Sequence, residues 1–188
     1  MRLDVLSPDE VLAGYDAVSQ LYPHIPPMSI WRAWECATYR HYALPEPVLD
    51  VGCGDGSFFR FLWPTVRDVV GVEMGPGVAE AARRSGVYRE VHVAPAHQAP
   101  VPDEPFASAF ANCSLEHMDH LPKVLRRVCC CLRPGAPFLF SVVTDHLLEW
   151  ATLSRLVAEV GEPARARAMQ DDFERYHHLV NAFPPAVW

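Results

Sequence analysis

The chain has 188 residues, half of them hydrophobic and 21% charged, the balance of a globular protein with a real core. One domain is expected, and a disordered tail, a collagen-like fibre and a disulfide-stapled miniprotein are excluded. Sixteen basic residues stand against 23 acidic ones, so the net charge of −7 gives no long-range attraction to phosphate and disfavours nucleic acid as a partner.

The six cysteines include the run Cys129-Cys130-Cys131, whose side chains diverge on a helix, and no Cys-x-x-Cys pair occurs. Reduced thiols in a cytoplasmic protein are expected, without a metal site. The N-terminal residues lack the apolar run of a signal peptide, and no apolar stretch is long enough for a transmembrane segment.

Ser7-Pro8-Asp9-Glu10 is a helix start, with serine as cap, proline in the first turn and Glu10 three residues on. Tyr15 and Tyr22 share a face if this helix persists; Pro23, Pro26 and Pro27 then break it. A second helix runs from Ser29 to about Tyr42, with Ile30, Trp31, Trp34 and Ala37 along one side. Core packing is the plain reading of that stripe, and cover for a ligand site is the other. Residues 1–44 thus form an N-terminal helical cap.

From Pro45 strands and helices alternate. Strands are expected at 48–52, 68–73, 90–94, 106–112 and 137–144, and helices at 57–63, 77–85 and 121–132. That alternation predicts an α/β fold: a Rossmann-like parallel sheet of about five strands with helices on both faces, over residues 45–145. Residues 146–188 read as a helical C-terminal segment of the same domain. One helix spans 147–160, a second runs from about 163 to 180, and residues 177–188 read as the lead into a further helix and a hairpin.

The stretch Val48-Leu49-Asp50-Val51-Gly52-Cys53-Gly54-Asp55-Gly56 is a strand running into a glycine-rich turn that opens a helix. Such a turn lets a ligand approach the backbone. The dinucleotide spacing G-x-G-x-x-G is not met, because Ser57 holds the third glycine's place. Asp50 just before the loop suits an ammonium group better than a pyrophosphate. Glu73, about twenty residues on at the end of the second strand, suits a ribose diol. S-adenosylmethionine offers an ammonium, a carboxylate and a ribose without phosphate, and it is the favoured cofactor over a nicotinamide dinucleotide.

VLDVGCGDGSF, VVGVEM, FASAFANCSLEHMDHL and LRPGAPFLFSVV resemble, in order, the motifs of class I S-adenosylmethionine-dependent methyltransferases, in the small-molecule group whose fourth-strand motif ends in Leu-Glu-His. The resemblance covers roughly residues 10–145. It implies that Asp50, Gly52, Cys53 and Gly54 hold the methionine part, that Glu73 binds the ribose and that Met74 packs on the adenine. It implies Ala96 and His97 beside the adenine, and Asn112 and Cys113 at the amino-acid part through backbone contacts. Leu115 and His117 would line the side toward the methyl group, with Tyr15 and Tyr22 as an aromatic pair on the substrate side. Pro95 and Ala107 depart from the family pattern, each standing where an aspartate is usual.

His117 is the candidate general base, needed only where the acceptor loses a proton. His120 could share its face, and one of His177 and His178 could reach the acceptor. Asn112-Cys113-Ser114-Leu115 lacks the Pro-Pro-aromatic element of methylases that act on DNA amino groups, so a small-molecule acceptor is expected, with S-adenosylhomocysteine as product. The family sheet has seven strands and five are found here. That leaves an apolar edge after the fifth strand, to be covered by the C-terminal helices or by a homodimer, and it suggests a fragment or a truncated gene product. A non-catalytic cofactor-binding or assembly module is the alternative function.

Overall fold

The computed structural model describes residues 6–24, 26–150 and 152–188. Ser7 caps α1 (Pro8–Val18) as its spacing predicts: its hydroxyl accepts the Glu10 N–H at 3.2 Å, and the Glu10 carboxylate accepts the Ser7 N–H at 2.8 Å. The helix ends at Val18, so Tyr22 lies beyond it and the face shared with Tyr15 does not form.

The second helix, α2 (Pro26–Tyr39), begins before Ser29 and packs closely on α1. A Cβ placed on Gly14 would stand 2.5 Å from the Ala33 carbonyl oxygen. Ser29, Ala33, Cys36 and Ala37 are the buried side of α2, and their small size permits that approach. This corrects the core reading of the stripe. Ile30, Trp31 and Trp34 are 59%, 40% and 54% exposed, because small residues together with Arg32 and Glu35 take the inner face.

The sheet comprises β1 (Val48–Val51), β2 (Val69–Glu73), β3 (Glu90–Val93), β4 (Ser108–Asn112) and β5 (Phe138–Ser141). Its order is β3-β2-β1-β4-β5, parallel throughout. Between the strands run α3 (Ser57–Leu62), α4 (Pro76–Ser85) and α5 (Leu121–Cys131). The winding direction reverses between β1 and β4, which opens a crevice at the carboxyl ends of the central strands.

Strand alternation divides the core into two. Leu49, Val51, Val70, Val72, Ala109 and Ala111 turn to Val124, Val128 and Cys131 of α5. Val48, Val69 and Phe110 turn to Tyr39, Phe58, Phe59 and Trp63, with the Trp63 and Phe110 rings edge to face at 4.9 Å. Burying each such large side chain contributes roughly 1.5–3 kcal/mol. Asp50 alternates onto this aromatic side, opposite Gly71 on β2 and Phe110 on β4.

After β5 the expected single helix is divided into a 3-10 turn, Asp145–Trp150, and α6 (Thr152–Glu159). Helix α7 (Pro163–His177) follows and packs on α6. No further helix or hairpin forms over 179–188. The Val180 and Asn181 N–H groups donate to the Glu116 carbonyl at 3.0 and 3.1 Å, which folds this segment back onto the domain. Phe183 and Trp188 then pack on the core, Trp188 at 6.1 Å from the Phe140 ring. The β5 side chains are half-buried instead of bare, Phe138 and Phe140 on the side where Phe183 and Trp188 pack. No helix among the described residues is long and apolar enough to cross a membrane.

Candidate active site

Two cavities lie at the carboxyl ends of β1, β2 and β4. The larger, about 560 Å³, is lined by Glu73, Met74, Ala96, His97, Cys113 and His117 among others. The smaller, about 180 Å³, is lined by Tyr22, Arg32, Asp50, Cys53, Gly54 and Asp55 among others. Gly52 and Asn112 line both, so a ligand occupying the two together passes between them.

The crevice thus gathers most residues the sequence singled out, with two corrections. Leu115 opens the 3-10 turn Leu115–His117 and points back into the core, fully buried beside Val124; His117, two residues on, faces the cavity. Tyr15 packs against the aromatic core cluster and lines neither cavity, because α1 turns the face it shares with Val18 into that cluster.

Backbone pairing shapes the loop. The Gly52 and Cys53 N–H groups both donate to the Val72 carbonyl, at 2.8 and 3.1 Å, which prolongs the β1–β2 contact into the turn. Gly52 has φ +74°, and a Cβ there would meet the Ser114 Cβ at 2.7 Å. Gly54, at φ +57°, faces open space. Glu73 ties the loop down: its Oε2 accepts the Gly54 N–H at 3.1 Å and its Oε1 the Gly75 N–H at 2.8 Å. Each oxygen keeps a lone pair for a diol.

Asp50 is buried, and its Oδ2 accepts the Tyr88 hydroxyl at 2.7 Å. Burial among aromatics pushes its carboxyl up to about 7; the Tyr88 hydrogen bond works against the rise, and Glu73 adds to it. Asn112 lies at the crevice, where its backbone is expected to meet the amino-acid part, and its side chain stands out as well. Its side-chain Nδ2 and Oδ1 are both buried and without a hydrogen-bond partner among the described residues, in the wall the two cavities share. Unpaired buried amides are costly, which marks this wall as shaped for a polar ligand.

On the other side, Cys113 takes φ +44° and its Sγ–H donates to Glu35 Oε1 at 2.9 Å. Burial pushes that thiol up, as does the Glu35 carboxylate. His117 places Nδ1 3.4 Å from the His178 carbonyl oxygen and Nε2 3.9 Å from Glu116 Oε1. Burial also raises the Glu116 carboxyl. His178 lines the larger cavity, whereas the His177 ring lies 4.1 Å from Phe173, so the adjacent pair diverges. His117 and His120 both line the cavity, but no group of three or more metal-ligating side chains forms among the described residues.

Sequence reasoning missed Tyr88, Ser114, Arg32 and Glu35. Tyr88 had an indirect signal, since Gly56 and Gly71 leave the room its ring occupies. For Arg32 and Glu35 the signal was an i,i+3 opposite-charge pair in which each residue directly follows a tryptophan.

Residues 30–185 match the family described as methyltransferase domain, and the chain belongs to it, within the class I S-adenosylmethionine-dependent fold. A malonyl-[acyl-carrier protein] O-methyltransferase of Serratia marcescens is 29% identical over 140 residues, which is 74% of this chain and 49% of that protein. The chain spans half or less of the length of the curated relatives it matches. A solved structure described as a methyltransferase, from Bacillus halodurans C-125, aligns with a TM-score of 0.60 at 18% identity over 82% of this chain and 65% of its own. The glycopeptide N-methyltransferase MtfA, complexed with S-adenosylmethionine, aligns with a TM-score of 0.51 at 20% identity over 62% and 52%. These two likenesses show the fold.

The residues of the crevice fit this family's cofactor. Glu73 suits the ribose, Met74, Ala96 and His97 border the space for the base, and Asp50 and Asn112 offer partners to the amino-acid end.

Proposed function

We propose that this domain transfers the methyl group of S-adenosylmethionine to a small-molecule acceptor. The reading rests on one observation: Asn112, with both side-chain polar atoms buried and unpaired, stands beside Gly52 where the two cavities meet, next to the buried carboxylate of Asp50. A nucleoside in the larger cavity joined to an amino acid in the smaller one matches that division.

When bound, the sulfonium supplies an already activated methyl group, so the protein's share of catalysis is chiefly positioning. Glu73 and the glycine loop hold the nucleoside end, and Asp50 holds the ammonium. Tyr22 borders the smaller cavity and His117 the larger, and an acceptor approaches the methyl group between them. His117 takes a proton where the acceptor has one to lose.

The net charge of −7 and the Asn112-Cys113-Ser114-Leu115 stretch support a small molecule over nucleic acid. Free thiols at all six cysteines support a reducing, cytoplasmic compartment. The Serratia marcescens relative's name makes a carboxylate of a carrier-bound acyl group the first acceptor to screen.

Calorimetric titration with S-adenosylhomocysteine, with NAD as control, tests the cofactor half. Micromolar binding to the first and none to the second is expected. Transfer of labelled methyl from S-adenosylmethionine to an acceptor panel tests the other half. Binding without transfer to any acceptor would favour a non-catalytic module.

A further inference from the structure

The outer face of α2 carries three large apolar side chains that the fold leaves uncovered. Ile30, Trp31 and Trp34 are exposed, and at spacings of three and four residues they are neighbours on the helix surface. Together with Glu35 they line a cleft of about 400 Å³, within the range of small-molecule sites. Tryptophans grouped in water in this way mark a contact surface. Two relationships say what the cleft takes. The first is continuity: Glu35 borders the cleft, and its Oε1 accepts the Cys113 thiol and the Ser141 hydroxyl, each at 2.9 Å. Cys113 lines the larger cavity, so a single layer of side chains links the cleft to the crevice at the ends of β4 and β5. The second is charge. Glu35 Oε2 is taken by Arg32 Nη1 at 2.6 Å, and Arg32 is the only basic residue of α2. The cleft thus has no spare charge and no basic rim, which disfavours an ion or an anionic membrane and suits an uncharged apolar occupant.

We propose that the methyl acceptor carries an uncharged alkyl body, which lies on Ile30, Trp31 and Trp34 while its reacting end enters the crevice past Cys113. The inference rests on the cofactor reading above and deepens it by naming the class of acceptor. Glu35 has a positioning role: its bonds to Cys113 and Ser141 hold α2 against the sheet, which keeps the tryptophans at a set distance from the crevice. Selection on such a shelf is by apolar area, about fourfold in affinity for each CH₂ buried.

The test is calorimetric titration with S-adenosylmethionine and with its sulfonium analogues in which butyl, hexyl or octyl replaces the methyl group. The replacing chain leaves the sulfur along the acceptor's path. In the wild-type protein affinity should rise with chain length, the octyl analogue binding about tenfold or more tighter than S-adenosylmethionine. Trp31→Ala and Trp34→Ala should each cut that gain about fivefold, while affinity for S-adenosylmethionine stays within about twofold. Trp34→Phe, which keeps an aromatic ring, should retain part of the gain. Leu153→Ala, at an exposed apolar position on α6, should retain all of it. No gain with chain length, or the full gain in both alanine variants, would overturn the proposal. So would a dimer in sedimentation equilibrium, or binding to phosphatidylcholine vesicles, that Trp31→Ala abolishes, because a second copy or a membrane would then cover this face. Wild-type protein that binds none of the probes, S-adenosylmethionine included, would overturn the cofactor reading instead.

Discussion

Tyr88 and Asp50 form a buried pair beneath the glycine loop, the phenol donating to Asp50 Oδ2 at 2.7 Å and approaching the Cys53 carbonyl oxygen at 3.3 Å. The pair makes cofactor binding depend on pH. Burial raises the Asp50 carboxyl from 3.8 to about 7. A folded-state pKa raised in this way adds stability that is fully present below the unfolded value and is lost as pH rises through the folded one. Asp50 alone therefore makes the ligand-free domain less stable on going from about pH 4 to about pH 7. In the proposed complex the ligand's ammonium faces Asp50 and favours its ionised form, so affinity moves the other way. S-adenosylhomocysteine should bind more tightly as pH rises, with a limiting slope of about tenfold per unit below pH 7 and proton release on binding. Titration in buffers of different ionisation heat counts that proton. Asp50→Asn should bind more weakly and flatten the profile; Tyr88→Phe should shift the midpoint upward.

On the proposed reading Glu73 has two tasks, tying down the loop and binding the ribose, and substitutions separate them. Its carboxylate accepts N–H groups from Gly54 and Gly75 and still has lone pairs for the ribose. Glu73→Ala should weaken S-adenosylhomocysteine binding by roughly ten- to hundredfold and also lower the thermal midpoint, because two loop donors lose their acceptor. Glu73→Gln keeps one acceptor, so it should retain more stability than affinity. A melt and a titration on each variant check this.

Gly71, in the middle of β2, carries no side chain because the space above it is taken. A Cβ there would stand 2.7 Å from Cys53 Sγ and 3.2 Å from the Tyr88 ring. Gly71→Ala should destabilise the domain by about 1–3 kcal/mol in urea denaturation. Cys53→Ala in the same chain should recover part of the loss by removing the closer obstacle. If the double variant is no more stable than the single one, the thiol contact is not what excludes a side chain.

Features set by local pattern were legible in the sequence. The Ser7 cap, the strand-to-loop turn at Gly52 and the carboxylate ending β2 all lie within a few residues of their cause. The stripe of Ile30, Trp31 and Trp34 misled, because apolar spacing gives a helix a face without saying which way it turns. Close packing of α2 against Gly14 decided that, through residues small enough to fit. What Glu35 and Tyr88 hold became visible only in three dimensions, since their partners Cys113, Ser141 and Asp50 lie far away in sequence. Leu115 and His117 look equivalent in the Leu-Glu-His motif, yet a 3-10 turn sends one into the core and the other to the cavity.

Asn181 decides whether that turn stays in place. Its Nδ2 donates to the carbonyls of Leu115 and Met118, at 2.8 and 2.7 Å, and its N–H donates to Glu116 at 3.1 Å. These bonds clasp the turn carrying His117 to the segment that follows His178, and both histidines line the larger cavity. Asn181→Ala removes the two side-chain bonds and leaves their carbonyls without that donor, a loss of about 1–3 kcal/mol. Both histidines then lose their fixed placement, so S-adenosylhomocysteine affinity should fall severalfold with the melting temperature. Asn181→Asp should be worse, since a carboxylate brings acceptors to carbonyls that need donors. Amide exchange over residues 115–118 reports the turn directly. Faster exchange there in Asn181→Ala is expected, and unchanged exchange together with a lowered melting temperature would mean that the lost stability comes from elsewhere in the fold. Val187→Ala, at an exposed position on the same segment, should leave stability and exchange unchanged.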